Sequence, residues 1–331
     1  MTAVTVSYHD LQQGVPQQTL ADAFGPDSLG IIIINDLPPE FVRLRQRVLR
    51  SASALAHLPQ DELAKLEVEK STWLVGWSCG KEMLAPGKPD THKGSWYVNT
   101  AFHHDPSQEA PNLGPEFDDK YPTYTTANVW PHPGLPGMAS FEPDLKALVN
   151  IIIDTAELVA RNCDRYCQQE LTDYPQGYLE RVVRESSCSK ARLLHYFPME
   201  ANANPDDWCT EHLDHSCLTG LTSAMFIDEN DNDAELAKCP DPDAGLYIRD
   251  RHGNPVKVSI PPHSLAFQTG STLQEVSHGQ FQAVYHKVRG AAVPGVARNT
   301  LAVFCQPNLN EPVNSKENFA EYASRVIDGF H

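Results

Sequence analysis

The hydrophobic rhythm of the chain changes near residue 187. Before it, apolar positions recur mostly at helical spacing; after it, they come in short runs broken by turn signals. Gly30-Ile31-Ile32-Ile33-Ile34-Asn35 is apolar without alternation, which predicts a fully buried strand at 30–35 that ends in a turn over 36–39. Over 40–57, Phe41, Val42, Leu44, Val48, Leu49 and Leu55 follow a 3.6-residue period and predict an amphipathic helix, with a short second one over 59–67. Residues 73–140 are rich in Gly, Pro, Asn and aromatics and read as long loops laid over a core. Helical spacing returns over 141–166 through Leu145, Leu148, Ile152 and Leu158.

Beyond Ser187 the short runs at 191–196, 217–228, 245–249, 256–260, 264–269, 283–288 and 300–305 read as strands. Arg251-His252-Gly253-Asn254 and Pro261-Pro262 are turn signals between them. Helices first and short antiparallel strands later predict an α+β chain with a mainly β core, a sandwich or jelly roll under a helical cover.

Composition narrows the function classes. The 331 residues carry 26 Lys+Arg against 43 Asp+Glu, a net charge of −17. That sign argues against a nucleic-acid binder tracking phosphates and against an anionic membrane surface. The apolar run at 29–34 is far too short to span a bilayer, and the first 14 residues have neither a secretory nor a transit pattern. Eight cysteines without a CxxC suit a reducing, cytoplasmic compartment. A small-molecule partner is expected, and oligomeric state is left open.

The chemistry concentrates at Glu211-His212-Leu213-Asp214-His215, read with His286 and Arg298-Asn299-Thr300. On a strand, His212 and Asp214 would share a face. One more imidazole from a distant strand would complete two His and one carboxylate, the facial set of non-haem Fe(II) oxygenases. Other motifs compete. Gly76-Trp77-Ser78-Cys79-Gly80 spells the G-x-S-x-G elbow of serine hydrolases, with Ser78 as nucleophile, but the chain lacks that fold's repeating strand-helix pattern. His103-His104-Asp105 is a second H-x-D, expected in a loop because Pro106 follows it. Cys209, His212, His215 and Cys217 are zinc-type residues, yet alternation would split His212 from His215. Asp228, Asn230 and Asn232 imitate the start of a calcium loop but lack its Gly and final Glu, and read as a solvated acidic loop.

Several segments in order resemble the isopenicillin-N-synthase-like branch of the Fe(II)/2-oxoglutarate oxygenases over nearly the whole chain. They are Gly30 to Pro38, Lys93-Gly94-Ser95-Trp96-Tyr97, Asn128-Val129-Trp130-Pro131 and Leu193-Leu194-His195-Tyr196-Phe197-Pro198, then His212-Leu213-Asp214 with Leu218-Thr219, Gly245-Leu246-Tyr247, Tyr285-His286-Lys287-Val288 and Arg298-Asn299-Thr300. The chain departs from the pattern at Asp36-Leu37, at the small residues Gly220, Ser223 and Ala224, and in an acidic insertion over 228–243. The last two bear on the shape of the pocket.

The resemblance implies a double-stranded β-helix, a distorted jelly roll flanked by helices. It divides the chain into an N-terminal cover at 1–130, linking helices at 131–186, the core at 187–310 and a helical tail at 311–331. It implies His212, Asp214 and His286 as Fe(II) ligands. Arg298, Thr300 and Tyr196 would bind 2-oxoglutarate, with His195 and Phe197 competing for the Tyr196 role, and Tyr97 and Phe304 would face the substrate. O2 would be the second co-substrate, ascorbate a candidate reductant, and hydroxylation of a small organic molecule the default outcome, with succinate and CO2 released. An oxidase on the same fold that uses no 2-oxoglutarate, and a metal-free binding protein, are the alternatives.

Overall fold

The isoleucine run is a strand buried on both faces. Ile32 and Ile34 enter the core under the helices, while Ile31 and Ile33 enter a second core between two sheets. Each such side chain contributes about 1.5–3 kcal/mol by leaving water, which is why the run needs no polar face. The computed structural model describes residues 2–85, 87–199 and 208–328.

In chain order the first strands are β1 (Val4–Ser7), β2 (Ile31–Asn35), β3 (Gly76–Cys79), β4 (Met83–Ala85), β5 (Lys88–Pro89) and β6 (Lys93–Asn99). Then come β7 (Lys190–Tyr196), β8 (Cys209–His212), β9 (Leu218–Thr222), β10 (Met225–Asp228) and β11 (Ala234–Leu236). The last are β12 (Gly245–Arg249), β13 (Pro255–Val258), β14 (Leu265–Thr269), β15 (His286–Arg289) and β16 (Val296–Cys305). A ten-stranded sheet follows the path β1-β2-β14-β9-β16-β7-β6-β3, with β10 added beside β16 and β11 beside β10. A four-stranded sheet runs β13-β12-β15-β8, and β4 and β5 form a separate hairpin.

The large sheet is the middle layer. Helices Pro39–Ala56 and Phe141–Glu170 cover one face, where Leu193, Leu301 and Val303 meet Leu49, Leu148 and Ile152 in one core. The small sheet packs on the other face, where Ile33 and Ala266 meet Leu246 and Ile248. Gly220 belongs to the helical side: a β-carbon there would collide with Ile152 and crowd Phe267. Its small size therefore lets the long helix seat and does not shape the pocket.

Three sequence readings change. The segment 73–140 is not all loop, because β6 is buried at all seven positions and pairs with β3 on one side and β7 on the other. Its polar composition hid it. Lys93 is paired with Asp90 at 2.8 Å, Asn99 bonds to Asn128 and Lys190, and Gly94 makes room for the Trp77 ring. The run 217–228 is two strands, broken at Ser223-Ala224, where the buried Arg45 guanidinium donates to both carbonyls at 2.9 and 3.0 Å. Finally, β1, β2, β3 and β6, all from residues 1–130, are strands of the main sheet and not a cover outside it. Among the described residues, no helix is long and apolar enough to cross a membrane.

Candidate metal centre

β8 and β15 are neighbours in the small sheet with His212 opposite His286, which brings the two rings to a centroid separation of 4.3 Å. Asp214 does not share a strand with His212, as the spacing had suggested. β8 ends at His212, and Asp214 lies in the connection to β9. It is fixed there from two sides. Its carbonyl accepts from the Ser271 N–H at 2.8 Å, and its Oδ2 accepts from the Thr219 hydroxyl at 2.7 Å. Oδ1 is left facing Nε2 of His212 at 3.7 Å and of His286 at 3.9 Å.

These separations are long for hydrogen bonds but short enough for one ion bonded at about 2.1 Å to each atom. All three ligand atoms lie within 4.8 Å of one another. His212 Nδ1 lies 2.9 Å from the Thr210 carbonyl, which accepts its proton and leaves Nε2 with a free lone pair. His286 Nδ1 lies 3.3 Å from the Val284 carbonyl and 2.6 Å from the Gln268 amide. Gln268 Oε1 is buried without a partner among the described residues, so the amide turned end for end accepts Nδ1–H and again frees Nε2.

Electrostatics agree with a ligand set. Burial opposes a charge on Asp214, yet His286, His212 and the Thr219 hydroxyl outweigh it and hold the carboxyl below its usual range. Burial, and then the charge of His212, lower His286 to about 4. Burial also opposes the charge on His212, but Cys209 and Asp214 raise it to about 9, so a proton there is what a metal would displace.

A cavity of about 570 Å³ opens at this cluster and is lined by His212, Asp214, His286, Tyr196, Arg298, Thr300 and Phe304. Alternation along β16 puts Arg298, Thr300, Ala302 and Phe304 on the cavity face, and pairing brings Tyr196 opposite Arg298. The same alternation separates the neighbours of Tyr196: His195 bonds to Asn299 on the far face, and Phe197 packs against the helical core. Arg298 is buried, its guanidinium lies 5.1 Å over the Tyr196 ring, and its Nε and Nη1 have no hydrogen-bond partner among the described residues. Burial lowers its pKa, although a guanidinium stays charged in proteins. Thr300 Oγ1 donates to the Thr222 carbonyl at 3.3 Å, a long bond that a better acceptor could displace.

Tyr97 is not part of the cavity wall. Its hydroxyl donates to Glu82 at 2.9 Å and its ring packs 4.8 Å from the Arg192 guanidinium, which does line the cavity. Arg192, buttressed by Glu82 and Ser95, has no signal in the sequence, because an isolated arginine in a strand carries no motif. The acidic insertion is solvated in one part and bears on the pocket in another. Asn230 and Asn232 are exposed in a turn, but Glu235 to Cys239 and Asp241 form part of the cavity wall.

The other motifs do not assemble. Ser78 is inside β3 opposite Ser95, not on a strand-to-helix elbow. Asp105 follows a 3-10 turn and accepts from Ser107. Cys209 Sγ lies 3.8 Å from His212 Nδ1, but His215 stacks on Phe319 and Cys217 is buried elsewhere, so the four zinc-type residues do not form one cluster.

Gly270 is tied to the centre by close approach. A β-carbon there would collide with the Ser216 carbonyl, and the next residue, Ser271, supplies the N–H that holds Asp214. Gly270→Ala is expected to cost about 1–3 kcal/mol of stability through overpacking, and to weaken metal binding by moving Asp214. Thermal unfolding and metal titration check both.

No family model matches the chain, and no curated protein matches it. Solved structures do. A Caulobacter crescentus protein described as of the 2OG-Fe(II) oxygenase family has 18% identity, covers 99% of this chain and 100% of its own, and superposes with a TM-score of 0.71. A full-length Neurospora crassa protein solved in complex with alpha-KG has 14% identity, coverage of 98% and 96%, and a TM-score of 0.69. JOX2 in complex with 2OG, Fe and JA has 14% identity, coverage of 98% and 85%, and a TM-score of 0.67. At these identities the likeness establishes a shared fold.

Proposed function

We infer that the chain is an Fe(II)- and 2-oxoglutarate-dependent oxygenase of a small organic molecule, built on a distorted jelly roll of the isopenicillin-N-synthase-like kind. The observation that carries this reading is a buried guanidinium, two of whose N–H groups find no partner among the described residues, in the same cavity as two imidazoles and a carboxylate. A buried cation short of hydrogen-bond partners is costly, and a dicarboxylate with one end at a metal and the other at Arg298 would offset that cost.

His212, Asp214 and His286 would hold the iron, three donors that leave positions open for a 2-oxo acid and oxygen. Bound Fe(II) supplies oxygen activation coupled to oxidative decarboxylation of 2-oxoglutarate to succinate and CO2. Arg298 grips the remote carboxylate in a planar two-pronged contact, Thr300 adds its hydroxyl, and Tyr196 holds the guanidinium from its ring face. Thr219 orients Asp214, and Thr210 and Val284 fix the histidine tautomers. Phe304 and the wall from Glu235 to Asp241 bound the space left for substrate. That space suits a small molecule, the class named for the Neurospora crassa protein with thymine and for JOX2 with JA.

The test is to incubate iron-loaded protein with 2-oxoglutarate and oxygen and assay succinate with and without a metabolite library. Succinate that requires both iron and 2-oxoglutarate, and increases with a library member, is the expected result. Absence of 2-oxoglutarate binding under anaerobic conditions would favour the co-substrate-free oxidase.

A further inference from the structure

A second set of ligand atoms lies behind the first, on the helical side of the large sheet. Where Tyr196 and Arg298 face the cavity, His195 and Asn299 face the other way. His195 is 1% exposed, with Nδ1 2.7 Å from Asn299 Oδ1. The Asn299 amide nitrogen donates to the Leu49 carbonyl and the Ser53 hydroxyl, both at 2.8 Å, so its oxygen must accept from Nδ1–H. His195 Nε2 is thus left with a lone pair. His57, at the end of the Pro39–Ala56 helix, is set in the same way: Nδ1 donates to the Ser53 carbonyl at 2.8 Å.

Both Nε2 atoms face Glu229 Oε1, at 3.2 Å from His195 and 3.6 Å from His57. Yet His195 Nε2 and Glu229 Oε1 are buried and have no hydrogen-bond partner among the described residues. Lone pairs turned toward one another, in a site buried at His195 and open at the His57 rim, ask for a cation between them, a proton on an imidazole or a metal ion. The three ligand atoms lie within 4.8 Å of one another.

We propose that His57, His195 and Glu229 form a second metal site, for Zn(II). Two neutral imidazoles, each with its other N–H donated to a carbonyl oxygen, and one carboxylate are the donors and outer partners zinc takes. His57 and Glu229 sit at the rim, so the fourth position is open to water. The site joins the helix end, β7 and the turn after β10. That turn leads into the segment walling the cavity, so the ion pins the wall at its root and backs the strands that carry Tyr196 and Arg298. This proposal does not depend on the oxygenase reading.

The experiment uses the full chain, stripped with a chelator. In His212→Ala/Asp214→Ala protein, which lacks the first cluster, one equivalent of Zn(II) is expected by elemental analysis after dialysis, and Co(II) should develop a visible d–d spectrum. Adding Glu229→Gln or His57→Ala should weaken Zn(II) binding at least a hundredfold and remove the zinc-induced rise in melting temperature. His195 is too buried for its replacement to separate folding from binding, so the two rim variants, checked for native circular dichroism, carry the test. A double variant that binds no Zn(II), or binding undiminished by Glu229→Gln, overturns the proposal. The first result would leave the cluster held by protons alone. Succinate formation by the parent enzyme is a separate readout, so either reading can fall without the other.

Discussion

Arg298→Leu is expected to weaken 2-oxoglutarate binding by hundreds- to thousands-fold. Removing one member of a buried, hydrogen-bonded charge pair costs on the order of 3–5 kcal/mol, and each 1.4 kcal/mol is about tenfold in affinity. Its neighbours on the cavity face of the strand, Thr300, Ala302 and Phe304, are uncharged and cannot replace the contact. Arg298→Lys should fall well short of rescue, because an ammonium cannot reproduce the planar fork. Thermal stability should move the opposite way from affinity: leucine removes a buried cation with two N–H groups unpaired among the described residues, so the ligand-free variant should unfold no earlier than the parent. Anaerobic titration with 2-oxoglutarate and a melting curve test the pair. Undiminished affinity in Arg298→Leu would remove Arg298 from the co-substrate site.

Asp214→Ala is expected to abolish turnover and to cost more Fe(II) affinity than the roughly 10–100-fold typical of losing an outer-shell partner. The alanine deletes the only carboxylate of the trio and leaves two imidazoles facing each other. Thr219→Val supplies an internal scale, because it removes only the hydroxyl that donates to Oδ2. Asp105→Ala, in the exposed H-x-D, should bind iron like the parent. Equal iron affinity in the Asp214 variant and the parent would dissolve the assignment.

What was legible depends on local periodicity. The β16 alternation that aligns Arg298, Thr300 and Phe304 can be read from spacing alone, as can the buried strand of isoleucines. What was hidden depends on pairing over long range. β6 looks like loop because its Lys93, Ser95 and Asn99 find partners only after Glu82, Asp90, Arg192 and Asn128 come together. The strand pattern placed Asp214 on the face of His212, whereas a backbone bond from Ser271 and a hydroxyl bond from Thr219 hold it beyond the strand. Tyr97 was drawn toward the cavity by its neighbours in sequence, and Glu82 takes its hydroxyl instead. The pairing of His57, His195 and Glu229 had no signal at all, because their sequence separations are large and no motif joins them.

The ten residues of β16 serve two layers at once, with odd and even positions committed to opposite neighbours. A deletion of one codon within it would exchange the two sets, turning Asn299 into the cavity and Arg298 into the apolar helical core. Such a change is far more damaging than any single replacement, since it both strips the co-substrate grip and buries a charge against Leu49 of the covering helix. Length variation among descendants of this gene should therefore be absent from 296–305 and concentrate in the exposed turn at 230–233, where added residues alter the cavity rim without disturbing the strand beneath it.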